Sequence, residues 1–218
     1  MGFWGTFLVA RSDKPLTELD DVRELAGNVL WHGEGDDGWQ VLQLHRAPEG
    51  WGPPMTGGDD REDLLTSVMA QTASPVLAAI VLDSDGAQLI GYSPRAGRWS
   101  GWLKLEVLID YLEWQYREHL EVDDDEELPD DLDTFWEERY REACRPLYEL
   151  VPPADVAAPH AVAWAVEAGY APAVDEVEAV LAGGEAFAED QFLKLLLALG
   201  LPTPAPTGDL LADSGEGG

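Results

Sequence analysis

The amino-acid sequence predicts an α+β protein: a mixed or antiparallel sheet with packed helices, followed by an α-helical C-terminal part and a disordered tail. Three observations predict it. Val76-Leu77-Ala78-Ala79-Ile80-Val81-Leu82 is apolar at every position, the pattern of a strand covered on both faces. Asp83-Ser84-Asp85-Gly86 and the strand-like Gln88–Tyr92 follow it and close a hairpin. After Trp102 the apolar period changes from two to helical, with Leu105, Leu108, Ile109, Leu112 and Tyr116 on one face.

Taken in order, Phe3–Arg11 reads as a strand with glycines on either side of Trp4. Pro15-Leu16-Thr17-Glu18 opens a helix to about Ala26, with Leu16, Leu19, Val22 and Leu25 on its apolar face. Val29–His32 and Trp39–Arg46 read as strands around the turn 33–38. The Pro/Gly-rich stretch 47–60 is a loop that carries Trp51, and an acidic helix start at Asp59 leads to about Thr72. Beyond the organising hairpin and its helix, Leu132–Leu150 is helical. Val151-Pro152-Pro153 marks a boundary, and three alanine-rich helices follow over 155–169, 173–182 and 186–199. The expected division is a sandwich domain over 1–150, a helical C-terminal extension over 151–202 and a disordered tail over 203–218.

Charge narrows the function classes. The 218 residues carry 43 Asp and Glu against 13 Lys and Arg, a formal net charge of −30. Nucleic-acid phosphates and anionic membranes bear the same sign, so direct binding to either is not expected. A monomer of this mass exposes roughly 10,000 Å². Evenly spread, thirty charges would then sit roughly 18 Å apart, beyond a Debye length of about 8 Å. Only clusters can carry function, and the sharpest is Glu118–Asp133, with ten carboxylates and no Lys or Arg. Asp123, Asp124, Asp125, Glu126 and Glu127 are its centre. Cys144 is the lone cysteine, so nothing points to a disulfide-forming compartment. No stretch has the length and apolarity of a membrane span, nor the N-terminus the pattern of a signal peptide, and a cytoplasmic location is expected.

Candidate chemistry is sparse. Asp83-Ser84-Asp85-Gly86 resembles the start of a calcium loop, but its glycine comes too early and the closing glutamate is missing. Gly33, Gly35 and Gly38 match a dinucleotide-loop spacing, but carboxylates lie between them and a strand follows where a helix is needed. His32 and His45 could meet across strands as metal ligands, without a third ligand at a recognisable spacing. Ser100 lacks the glycines of a nucleophile elbow. No catalytic residue, cofactor or metal site is therefore assigned. Nine tryptophans remain as a signal. Trp51, Trp99 and Trp102 lie near turns or strand ends and, with 123–127, are the candidate partner-binding residues.

The segments Gly2-Phe3-Trp4-Gly5-Thr6, Arg11–Leu19 with Pro15-Leu16, and Gly91-Tyr92-Ser93-Pro94 through Trp99-Ser100-Gly101-Trp102 resemble those of uncharacterised actinobacterial proteins. The resemblance covers the N-terminal part and implies no activity or site. The expected function is a non-enzymatic, acidic partner-binding protein of immunity, inhibitor or regulatory type, facing a basic protein. The alternative is a hydrolase-type enzyme with a carboxylate-based site.

Overall fold

The computed structural model describes residues 2–45, 59–105 and 152–202, with positions 107, 131, 134–136 and 139 between them. Six strands form one sheet: β1 (Gly5–Arg11), β2 (Val29–Glu34), β3 (Trp39–His45), β4 (Val76–Leu82), β5 (Gly86–Ser93) and β6 (Gly97–Leu103). Their order is β2-β3-β1-β4-β5-β6, and every neighbouring pair is antiparallel. Short turns join β2 to β3, β4 to β5 and β5 to β6, which permits only antiparallel pairing at those steps. The apolar β4 lies between β1 and β5, in the sheet interior, and all seven of its residues are buried.

Period-two alternation sorts the strand residues onto two faces. One face presents Phe7, Val9, Trp39, Val41, Leu77, Ala79, Leu89, Trp99 and Leu103. Three helices cover it: α3 (Ala154–Glu167), α4 (Val174–Leu181) and α5 (Ala188–Ala198). The other face presents Leu8, Ala10, Leu42, Val76, Ala78, Ile80, Ile90 and Tyr92. Leu16, Leu19 and Val22 from the segment around α1 (Asp20–Arg23), and Leu64, Leu65 and Val68 of α2 (Asp59–Thr72), pack against it. The result is helix, sheet, helix, with an apolar core on each side of the sheet.

The helix expected over Pro15–Ala26 is instead three short pieces, a 3₁₀ turn at Leu16–Glu18, α1, and a second 3₁₀ turn at Ala26–Asn28. The break is at Leu19, whose backbone is extended (φ −68°, ψ 144°). Leu16, Leu19 and Val22 are all fully buried, so the three residues that would share one face of a continuous helix reach the core through an interrupted chain instead.

Alanine explains how α3 approaches so closely. Ala157, Ala158, Ala161 and Ala165 line its buried side. A Cβ placed on Gly101 of β6 would lie 3.5 Å from the Ala157 Cβ. Small residues on both surfaces bring helix and strand backbones together, and Trp164 fills the remaining volume. Along the chain between β6 and α3, Asp131 caps the helical turn at 134–136, accepting from Thr134 N–H at 3.2 Å and Thr134 Oγ1 at 2.8 Å. Residues 203–218, expected to be disordered, lie outside the described residues.

Candidate functional site

At one end of the sheet, the chain leaving β1 and the β2–β3 turn enclose a surface cleft of about 360 Å³. Gln40 builds it. Its side chain is buried, and both ends are committed: Oε1 accepts from the Leu16 N–H (2.9 Å), and Nε2 donates to Ser12 O (3.1 Å) and Lys14 O (2.9 Å). These bonds fix the course of residues 12–16 along the cleft wall. His32 Nε2 lies 3.1 Å from the same Oε1. An amide oxygen only accepts, so Nε2 of His32 is the donor to it. Asp37, at φ 59°, and Gly38, at φ 80°, make the opposite wall.

The cleft is polar and of mixed charge. Arg11 and Lys14 supply cations; Asp13, Glu34 and Asp37 supply carboxylates. Ser12 is its only hydroxyl, and Ser12 Oγ accepts from the Lys14 N–H at 3.3 Å, with no imidazole bonded to it among the described residues. Such an arrangement can hold ions or charged side chains; it offers no nucleophile and base in contact. Among the described residues no group of three His, Cys, Asp or Glu side chains could hold a metal. The two strand histidines do not meet. His32 stands opposite Leu42, while His45 stands opposite Gly5, three residues further along β3 and on the other face.

The expected partner-binding residues fall in two groups. Trp99 and Trp102 are 4% and 6% exposed, so they fill the interior and present no open face. The Trp99 indole lies over its cross-strand partner Gly91, where an added Cβ would meet Nε1 at 2.0 Å. A glycine opposite an aromatic residue lets the ring lie flat on the strand, and this is why a tryptophan near a turn is buried here. Trp51, Asp123, Asp124, Asp125, Glu126 and Glu127 lie outside the described residues.

Asp13, Glu18, Asp20, Asp21, Glu24, Glu34, Asp36 and Asp37 are all exposed within one stretch of 25 positions, against Lys14 and Arg23. Arg23 pairs with Asp20 at 3.6 Å, and both side chains are well exposed. The Arg95–Glu167 and Lys194–Glu185 ion pairs lie elsewhere.

Sequence reasoning missed the cleft, because the residues that form it come from two separated segments joined by one glutamine. It also missed Glu167. At the end of α3 this side chain is 9% exposed and accepts from the N–H groups of Arg95 (2.9 Å) and Ala96 (2.9 Å) and from Arg95 Nε (3.2 Å). Burial alone pushes the carboxyl up, but the Ala96 N–H, with the Arg95 guanidinium and N–H, outweighs it and holds the group below its ordinary value of 4.5. Comparison of the chain with models of protein families, with characterised proteins and with solved structures found no match. No helix among the described residues is long and apolar enough to cross a membrane.

Proposed function

We propose that the protein works by binding a basic protein partner, as an immunity, inhibitor or regulatory protein. The observation that supports this reading is the uncompensated acidity: a net charge of −30, with exposed carboxylates along 13–37 and ten carboxylates in the sequence of 118–133. Clustered like charges inside a Debye length repel one another and add nothing to folding, so a partner of opposite sign gives them a use. Such a field speeds association more than it deepens affinity. The same sign disfavours nucleic acid, except as a molecule the acidic surface would imitate.

The test is to purify the proteins retained by the full chain from its native host and to remeasure binding with each purified candidate. The expected partner is strongly basic, and its association rate falls steeply with salt. Retention of only neutral or acidic proteins, or salt-independent association, overturns the reading.

One observation favours the second reading, a hydrolase-type enzyme with a carboxylate-based site. Asp13, Glu34 and Asp37 line one cleft together with Arg11 and Lys14. Carboxylates beside cations could divide acid and base roles. Turnover of ester, phosphoester or glycoside model substrates, lost in Asp37→Asn, would establish it.

A further inference from the structure

The walls of the cleft are tied to one another, so its shape is set before anything enters it. Ser12 N–H donates to Gly38 O (2.9 Å), and Gly35 N–H donates to Trp39 O (2.7 Å) within the β2–β3 turn. Pro202 packs on Gly35, where an added Cβ would lie 2.7 Å from the proline Cγ. With the three bonds of Gln40, these contacts fix the backbone on both sides. A preformed site lowers the ordering cost of binding. The volume of about 360 Å³ lies in the range of small-molecule sites.

The charges on these walls are not spent on each other. Arg11, Asp13, Lys14, Glu34 and Asp37 all line the cleft and are all exposed. Among the described residues, Arg11, Lys14, Asp13 and Asp37 form no ion pair, and Glu34 has only His32, at 4.0 Å. Both signs are therefore open to a ligand. A purely anionic ligand would face three carboxylates, and a purely cationic one would face Arg11 and Lys14. The complement is a molecule with one carboxylate for the two cations and two cationic groups for the three carboxylates.

We propose that the cleft binds a free basic α-amino acid of the arginine or lysine class, its carboxylate on Arg11 and Lys14, its α-ammonium and side-chain cation on Asp13, Glu34 and Asp37. Arg11 can hold a carboxylate through two parallel N–H donors, and Lys14 adds a point charge. The proposal shares its cleft with the hydrolase-type reading and depends on neither reading above, because binding needs no turnover and no protein partner.

A control is built into the charge. At −30 the whole molecule attracts any cation. That general field prefers argininamide, which carries one more positive charge than arginine. The cleft prefers arginine, because argininamide leaves Arg11 and Lys14 without a carboxylate. The two attractions predict opposite orders.

Isothermal titration calorimetry of the full chain at low salt, with L-arginine, L-lysine, argininamide, N-acetylarginine and glutamate, reads that order. Arginine or lysine should bind roughly tenfold tighter than argininamide or N-acetylarginine, each of which lacks one charge-assisted contact. Glutamate should give no binding heat. Arg11→Gln combined with Lys14→Gln should bring arginine down to argininamide, with argininamide no weaker than before. Asp37→Asn should weaken both, and asparagine tolerates the left-handed backbone at that position. Asp85→Asn, at an exposed carboxylate of the β4–β5 turn, should change neither. These substitutions are at exposed positions, so thermal melts should match the wild type and separate lost binding from lost folding. Argininamide binding as tightly as arginine, an order that survives the Arg11 and Lys14 substitutions, or no heat from either basic amino acid overturns the proposal.

Discussion

Trp164 donates its indole N–H to the carbonyl of Val76, 88 residues earlier, at 3.0 Å, and shares it with Tyr92 O at the same distance. Val76 and Tyr92 are cross-strand partners, so one side chain of α3 clasps the ends of β4 and β5. Trp164→Phe keeps most of the apolar volume and removes the donor from two buried carbonyls. The expected loss is about 2 kcal/mol. A thermal melt should show this as a fall of roughly 4–8 °C. A melting temperature within a degree of wild type would mean that water satisfies those carbonyls.

Gly91→Ala tests the packing of Trp99. The new Cβ would sit 2.0 Å from the indole Nε1, so the ring must move in a site where it is only 4% exposed. The expected cost is roughly 1–3 kcal/mol, with an altered tryptophan near-UV circular dichroism signal. In a Trp99→Leu background the same substitution should cost much less, because the two effects act through one contact.

The Glu167 carboxylate gives a pH prediction. Its folded value lies below the ordinary 4.5 of the unfolded chain. The stability it contributes is therefore fully present above that ordinary value and lost as pH falls through the lower, folded value. Glu167→Gln, neutral throughout, should lower the melting temperature near neutrality by an amount equivalent to about 1 kcal/mol. The gap to wild type should close on acidification, and a gap independent of pH would rule out the charge as its source.

Much of this fold was legible in the sequence, and the reasons are local. The uniform apolarity of Val76–Leu82 marks an interior strand, and the structure places β4 between β1 and β5. The alanine-rich stretches mark α3, α4 and α5. The break at Leu19 was hidden, because Leu16, Leu19 and Val22 satisfy a helical period as well as they satisfy an interrupted chain. The burial of Trp99 was hidden because it depends on which residue faces it across the sheet, and register is a non-local property. Phe3 and Ala188 are both hydrogen-bonded to Ser84, and no pattern along the chain could join them.

The acidic segment admits a kinetic test. Replacing Asp123, Asp124, Asp125, Glu126 and Glu127 with Asn and Gln should slow association with a basic partner and flatten its salt dependence, with dissociation nearly unchanged. Stopped-flow mixing at low and high ionic strength reads both limbs. Unchanged association at low ionic strength would assign the segment to solvation alone.

Leu201 is buried, and Pro202 lies close to Gly35 of the β2–β3 turn. Removal of residues 203–218 should keep the melting temperature within about 1–2 °C of wild type, since that stretch has too little apolar content to offset its ordering entropy. Ending the chain two residues earlier should lower it further, because the buried leucine leaves with them.

Phe7 of β1 and Phe192 of α5 stack at a centroid distance of 5.2 Å. During synthesis the whole sheet leaves the ribosome before the helices that cover this face. Until then Phe7, Val9, Val41, Leu77 and Leu89 have no C-terminal layer over them. A nascent chain in that state is prone to self-association. Its negative charge keeps neighbouring copies apart by mutual repulsion. Repulsion between nascent chains would then shield one hydrophobic surface on the polysome until its last layer arrives.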